Sequence, residues 1–263
     1  MQGVKNTYGV ESISDFSFNK GHDTDFKTYE QSYRIFCDLF KRSYPQYKDY
    51  MDISDQDVRN ARSERFANDE YWAIWRQYGN VVGFIEAFFH KQNGFNMLPR
   101  IFSKYPDEIP TFQNCEEFLK RFKDDKVLVV LFEDCGITRM RHTIAETIWN
   151  AVFKLQNEYG GVVPQKRWQL LNFNGFGRKI ANMLMNLTFD LPEIGIDVRV
   201  FRAACNLGFI PFSPKQFASD SIKFEAELIL RQSIPQKFFL DADYLLFMSG
   251  AGEGVHSPKP KVS

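Results

Sequence analysis

Residues 168–186 read WQLLNFNGFGRKIANMLMN: a short apolar segment, a turn carrying two glycines, and an amphipathic helix that starts almost at once. Glycine permits positive φ and lets the backbone come close to a ligand. Amides of such a turn at a helix N-terminus form an anion site suited to a phosphate, which makes Asn174, Gly175, Phe176 and Gly177 candidate nucleic-acid contacts. Arg178 and Lys179 fall in the first turn of the following helix, where the macrodipole disfavours cations. The sequence offers no local structural gain for that placement, and such breaks tend to mark functional sites. A positive helix end and a neighbouring guanidinium both favour the neutral amine, the form of lysine that attacks a sugar carbon to give a Schiff base. Eighteen residues beyond Lys179, Asp197 opens the next helix. A carboxylate there can stabilise positive charge growing on a sugar as its base departs. Each feature also has a plainer reading: a Gly-x-Gly turn serves as an ordinary interhelical loop, and an aspartate at a helix start serves as an N-cap.

Outward from this stretch the patterning is helical. Tyr29, Tyr33, Phe36, Leu39 and Phe40 recur at spacings of three and four, as do Ile144, Ile148, Ala151, Val152 and Leu155. Gly160-Gly161 and then Pro164 end the second of these helices. Cys115–Phe122 reads as a short helix, and Ser219–Gln232 and Leu240–Phe247 as a last helical part. Tyr71–His90 is apolar without a decisive period. KVLVVLF, residues 126–132, is β-branched and reads as a strand by propensity. The first 25 or so residues and the Gly- and Pro-bearing tail from Gly250 are aperiodic.

The 263 residues are 44% hydrophobic and 25% charged, ordinary globular usage, with an unusual 27 phenylalanines. No apolar run is long enough for a membrane span, and Met1–Ser17 lacks the pattern of a signal peptide. Cys37, Cys115, Cys135 and Cys205 have neither metal-knuckle nor disulfide spacing and read as reduced thiols, which with the missing leader suggests a cytoplasmic protein, or a nuclear one in a eukaryote. His90, His142 and His256 show no ligand spacing. The 33 basic and 33 acidic residues cancel, which on its own disfavours a nucleic-acid partner. The charges are not spread evenly, however. Tyr159–Phe189 contains no acid but holds Lys166, Arg167, Arg178 and Lys179, whereas Asp107–Asp134 carries eight acids and four bases. A charge run is also what any solvated face looks like.

Gly160–Phe209, with its NFNGFGRKIANMLMN followed by IDVRVFRAACNLGF, resembles the helix-hairpin-helix plus Gly/Pro-Asp motif of the endonuclease III branch of DNA glycosylases. The resemblance implies an all-α fold, so that residues 126–132 are helical against their propensity. It aligns Lys179 with the family's Schiff-base lysine and Asp197 with its essential aspartate, and it makes Gly175, Phe176 and Gly177 the hairpin that grips a lesion-strand phosphate, often with a monovalent cation. More loosely, Val81–Tyr105 resembles the segment whose glutamine fills the gap left by the extruded base, which points to Gln92. Asn174 stands where the family has proline, and Arg199 where it has histidine. The four-cysteine iron-sulfur loop that usually follows the last helix has no counterpart in the closing GVHSPKPKVS. A lysine at 179 argues against the adenine-mismatch branch, which lacks it.

These readings together predict two helical lobes with a helix-hairpin-helix at the cleft between them. An N-terminal arm and helix (1–70) would pack with a C-terminal segment (211–250), a barrel-like domain would span 71–210 with the hairpin at about 168–190, and 251–263 would be a loose tail. The expected function is that of a base-excision glycosylase with lyase activity. The expected partner is damaged double-stranded DNA, bound by a monomer through the hairpin together with Lys166, Arg167, Arg178 and Gln92. No iron-sulfur cluster and no other metal is expected beyond a monovalent cation at the hairpin. Two further readings stay open: a monofunctional glycosylase in which Asp197 activates water, and a non-catalytic helix-hairpin-helix DNA-binding module.

Overall fold

The computed structural model describes residues 29–90 and 97–250, and every regular element among them is helical. Two hydrophobic cores divide these helices into two lobes. One core is built from residues between Phe66 and Leu187, the other from Phe36–Ala61 together with Ile194–Leu246. From residue 29 the chain therefore runs through one lobe, builds the other, and returns.

At the centre of the barrel-like lobe lies the helix Asn80–His90. Every residue from Val81 to His90 is buried, including Glu86, which is why its sequence lacks a helical period: a helix covered on all sides has no polar face to reveal one. It packs against Arg141–Tyr159 and against Arg178–Phe189, the lysine helix. Gly83 is required for that last contact, since a Cβ there would come within 2.7 Å of Thr188 Oγ1. Residues 125–134 form a helix despite their β-branched run. Asp124 caps it by accepting from the Val127 amide. Leu128, Leu131 and Phe132 then fall on one buried face while Val130 is exposed, so the helical period was present inside the apolar run.

In the second lobe, the helix Tyr29–Ser43 packs on Ala242–Met248, which also meets Val198–Asn206, the aspartate helix. Val200, Phe201, Ala203 and Ala204 belong to this second core. The expected boundary near residue 210 is thus corrected: the chain leaves the barrel lobe after Leu191, and the aspartate helix belongs with the N- and C-terminal helices. Between residues 1 and 70 the sequence showed one helix; the structure has a second, Asp55–Asn68, whose start carries a capping box of Ser54 and Asp57.

Two ion-pair networks tie the lobes together. In the first, Arg62, only 5% exposed, donates to Asp241, the Leu240 carbonyl, and the carbonyl and side-chain oxygens of Asn186, while Arg65 pairs with Asp241 at 2.6 Å. In the second, Glu193 and the buried Glu227 collect Arg167, Arg178 and Arg231. Each network joins residues far apart in sequence, and together they fix how the lysine helix faces the aspartate helix.

Candidate active site at the lobe junction

The hairpin forms as its sequence requires. Phe173 and Phe176 are buried, with the Phe176 ring against Phe84 and Phe88 at centroid distances of 5.3 and 4.8 Å. Those anchors hold the turn between them, where Gly175 takes φ +96°, a region open to glycine. Asn174 and Gly177 are exposed. Gly177 is the N-cap of the lysine helix and brings no side chain to it, so the first-turn amides face outward without a side-chain acceptor. Of the expected contact residues, Asn174, Gly175 and Gly177 lie at this surface, and Phe176 holds it from beneath.

Arg178 is engaged internally. Its guanidinium donates to both carboxylate oxygens of Glu227, at 2.6 and 3.2 Å, and lies 4.4 Å from the centre of the Phe224 ring. The structural gain that the sequence did not reveal is this inter-lobe pair, made 49 residues away. Arg167 is drawn in likewise, donating to Asn182 at 2.7 Å and pairing with Glu193. Of the basic residues expected to contact DNA, Arg167 and Arg178 face acids, and Lys166 is exposed. Gln92 lies outside the described residues.

Lys179 and Asp197 meet across the junction, Nζ to Oδ2 at 4.0 Å, with their side chains 35% and 24% exposed. The two oxygens of Asp197 face different partners. Oδ1 accepts from the amides of Arg199 and Val200, both at 2.8 Å, and so caps the aspartate helix. Oδ2 is the one turned to Lys179. The cap thus uses one oxygen and leaves the other facing Lys179.

Beside the pair opens a cavity of about 380 Å³, with Trp72, Met183, Tyr244 and Phe247 among its walls. Trp72 and Tyr244 meet edge to face at 5.5 Å, and the Arg65 guanidinium backs both rings. His90 and Tyr71 also reach it, with Tyr71 Oη 2.9 Å from His90 Nε2. Burial, reinforced by the charge of Lys179, pushes the His90 imidazole down to about 3, so it is neutral. Glu86 lies 3.7 Å from His90, and burial holds its carboxyl well above the usual range. His90, Tyr71, Tyr244 and Asp243 escaped the sequence reading because nothing local distinguishes them. They come from three separate helices that converge on this cavity.

No family model matches the chain. Stretches of it resemble endonuclease III from Escherichia coli K12, 32% identical over 106 residues, and from Buchnera aphidicola of Baizongia pistaciae, 33% identical over 96 residues. Those stretches cover 40% and 36% of this chain, and 46% and 41% of the relatives, so the chain spans less than half the length of either. Among solved structures, a non-covalent endonuclease III–DNA complex superposes with a TM-score of 0.54 at 21% identity, over 79% of this chain and 91% of the other. A thermostable thymine-DNA glycosylase superposes with a TM-score of 0.52 at 17% identity, over 77% and 93%. At such identities these superpositions speak to the fold.

Proposed function

The chain carries the fold and the hairpin–aspartate sequence of the helix-hairpin-helix DNA glycosylase superfamily, and from that premise we propose that it excises damaged bases from double-stranded DNA and nicks the resulting abasic strand. The observation that carries this reading is the Lys179–Asp197 pair, 4.0 Å apart at the mouth of a cavity large enough for a base.

The chemistry follows from the groups present. The open amides at Gly177 and the turn at Gly175 receive a backbone phosphate, and a nucleotide turned out of the duplex places its base in the cavity. The Lys179 amine attacks the sugar C1′. The N-glycosidic bond breaks, its electron pair leaves with the base, and the base takes up a proton. As positive charge grows on the sugar, Asp197 Oδ2 stabilises it without giving up the cap, which uses Oδ1. The ring opens to an imine between Lys179 and C1′. Loss of a C2′ proton then expels the 3′ phosphate by β-elimination, and water releases the lysine.

The cofactor reading forms part of the same proposal. Cys115 and Cys135 pack in the barrel lobe and Cys37 and Cys205 in the other, an arrangement that favours chemistry without an iron-sulfur cluster. A monovalent cation at the hairpin would compete with the Lys154 ammonium, which donates to the Asn172 carbonyl at 3.1 Å. No step above depends on it.

The test is a reaction with duplexes each carrying one damaged base or one abasic site, in the presence of borohydride. Wild-type protein should become covalently attached to DNA, and Lys179→Ala should not. Base release with neither strand nicking nor a trapped species would favour the water-activating alternative, and binding without turnover would favour a DNA-binding module.

A further inference from the structure

The cavity beside Lys179 is lined by two carboxylates that the mechanism above does not use, Asp69, which accepts from the Tyr71 amide, and Asp243. Asp243 Oδ1 accepts from the Tyr244 amide at 2.8 Å. Oδ2 has no hydrogen-bond or ion-pair partner among the described residues, although Arg62 and Arg65 lie close enough to influence it. Both arginines are directed to Asp241 instead, at 2.9 and 2.6 Å. Gly195 packs beside Asp243: a Cβ added there would lie in ordinary contact with Asp243 Oδ2, at 3.6 Å, and with the Lys179 carbonyl oxygen, at 3.4 Å.

A carboxylate facing an aromatic-walled cavity is selective in what it accepts. Ionised, it takes hydrogen bonds and gives none. Thymine- and uracil-type bases present one N–H flanked by two carbonyls, which would sit against the carboxylate lone pairs. Adenine and cytosine present an amino group beside a bare ring nitrogen. Guanine alone among the standard bases offers two adjacent donors, the ring N1–H and the 2-amino group, matching the paired oxygens of a carboxylate. Burial raises the Asp243 carboxyl to about 6, which leaves it ionised for the most part at neutral pH.

We infer that Asp243 reads the Watson–Crick edge of the extruded base and that the cavity takes purine lesions retaining the guanine edge, such as 8-oxoguanine and ring-opened guanine. This assignment rests on the glycosylase reading given above. Asp243 selects the class of base; Lys179 and Asp197 act on the sugar.

Single-turnover excision on duplexes carrying 8-oxoguanine, ring-opened guanine, hypoxanthine, 5-hydroxyuracil or thymine glycol, run beside a preformed abasic duplex, tests both levels. The two guanine-edge lesions should be excised fastest, and hypoxanthine, which lacks the 2-amino group, at least tenfold more slowly. In Asp243→Asn the ratio of guanine-lesion excision to abasic-site cleavage should fall at least tenfold; abasic cleavage in the variant also reports that it is folded. A wild-type preference for a pyrimidine lesion would overturn the assignment. So would an equal fall in both activities, which would place Asp243 on the sugar, or an unaltered ratio. Cleavage of the abasic duplex with no lesion excised would overturn the base assignment while leaving the lysine chemistry standing. Inertness toward every duplex would overturn both.

Discussion

Replacing Asp197 by asparagine removes one charge and almost nothing else. The cap is made by Oδ1, which accepts from the amides of Arg199 and Val200. Asparagine presents a carbonyl oxygen in the same place and caps about as well, so unfolding free energy should change by no more than about 1 kcal/mol. Oδ2 becomes an amide nitrogen facing Lys179 across 4.0 Å. A unit charge acting over that distance at an effective dielectric near 20 is worth at most about 4 kcal/mol, or roughly three decades in rate. The pair is partly exposed, and solvent screening reduces that ceiling. Losses of about a hundredfold or more on removal of one preorganised charge-stabilising group are in keeping with it. Single-turnover base excision by Asp197→Asn should therefore fall by about a hundredfold or more, with urea unfolding near wild type and binding to an uncleavable abasic analogue retained. A well-folded Asp197→Asn protein that excises at the wild-type rate would refute the argument and leave Asp197 a cap only.

Other perturbations separate structural from DNA-facing charge. Arg178→Ala leaves the buried Glu227 short of its bidentate partner, and should cost about 1–3 kcal/mol in urea unfolding; unaltered stability with weakened DNA binding would make Arg178 a phosphate ligand after all. Lys166→Glu, at an exposed position, should weaken damaged and undamaged duplexes alike and flatten the salt dependence by about one phosphate; an effect confined to one lesion would contradict that. Asp243 gives a stability signature through pH. Burial raises its carboxyl from 3.8 to about 6, so the folded state holds that proton more tightly. The stability it contributes is complete below about pH 4 and is lost as pH rises through 6. Asp243→Asn, which cannot ionise, should melt a few degrees above wild type at pH 8 and level with it near pH 4; a gap of the same size at both pH values would assign the effect to something else.

What the sequence disclosed and what it concealed divide by range. The hairpin, Lys179 and Asp197 are legible because glycine placement, helix starts and an eighteen-residue spacing are local features. The Asp55–Asn68 helix was marked by Ser54 and Asp57, but its mainly polar residues hid the apolar face. The run at 126–132 misleads because β-branching sets a propensity that an all-helical surrounding overrides. The ion pairs of Arg167 and Arg178 were hidden because their acids, Glu193 and Glu227, lie 26 and 49 residues away. Asp243 is illegible for the same reason: its meaning comes from the cavity and the Trp72–Tyr244 wall, which only the fold assembles.

The claim that Lys179 is the nucleophile can be read directly from the covalent product. Protein trapped with borohydride on an abasic duplex, digested with nuclease and protease and analysed by mass spectrometry, should carry the reduced sugar remnant on the peptide containing Lys179, in a 1:1 adduct. A remnant on Lys166, on another lysine or on the N-terminal amine, with Lys179 unmodified, would contradict the account.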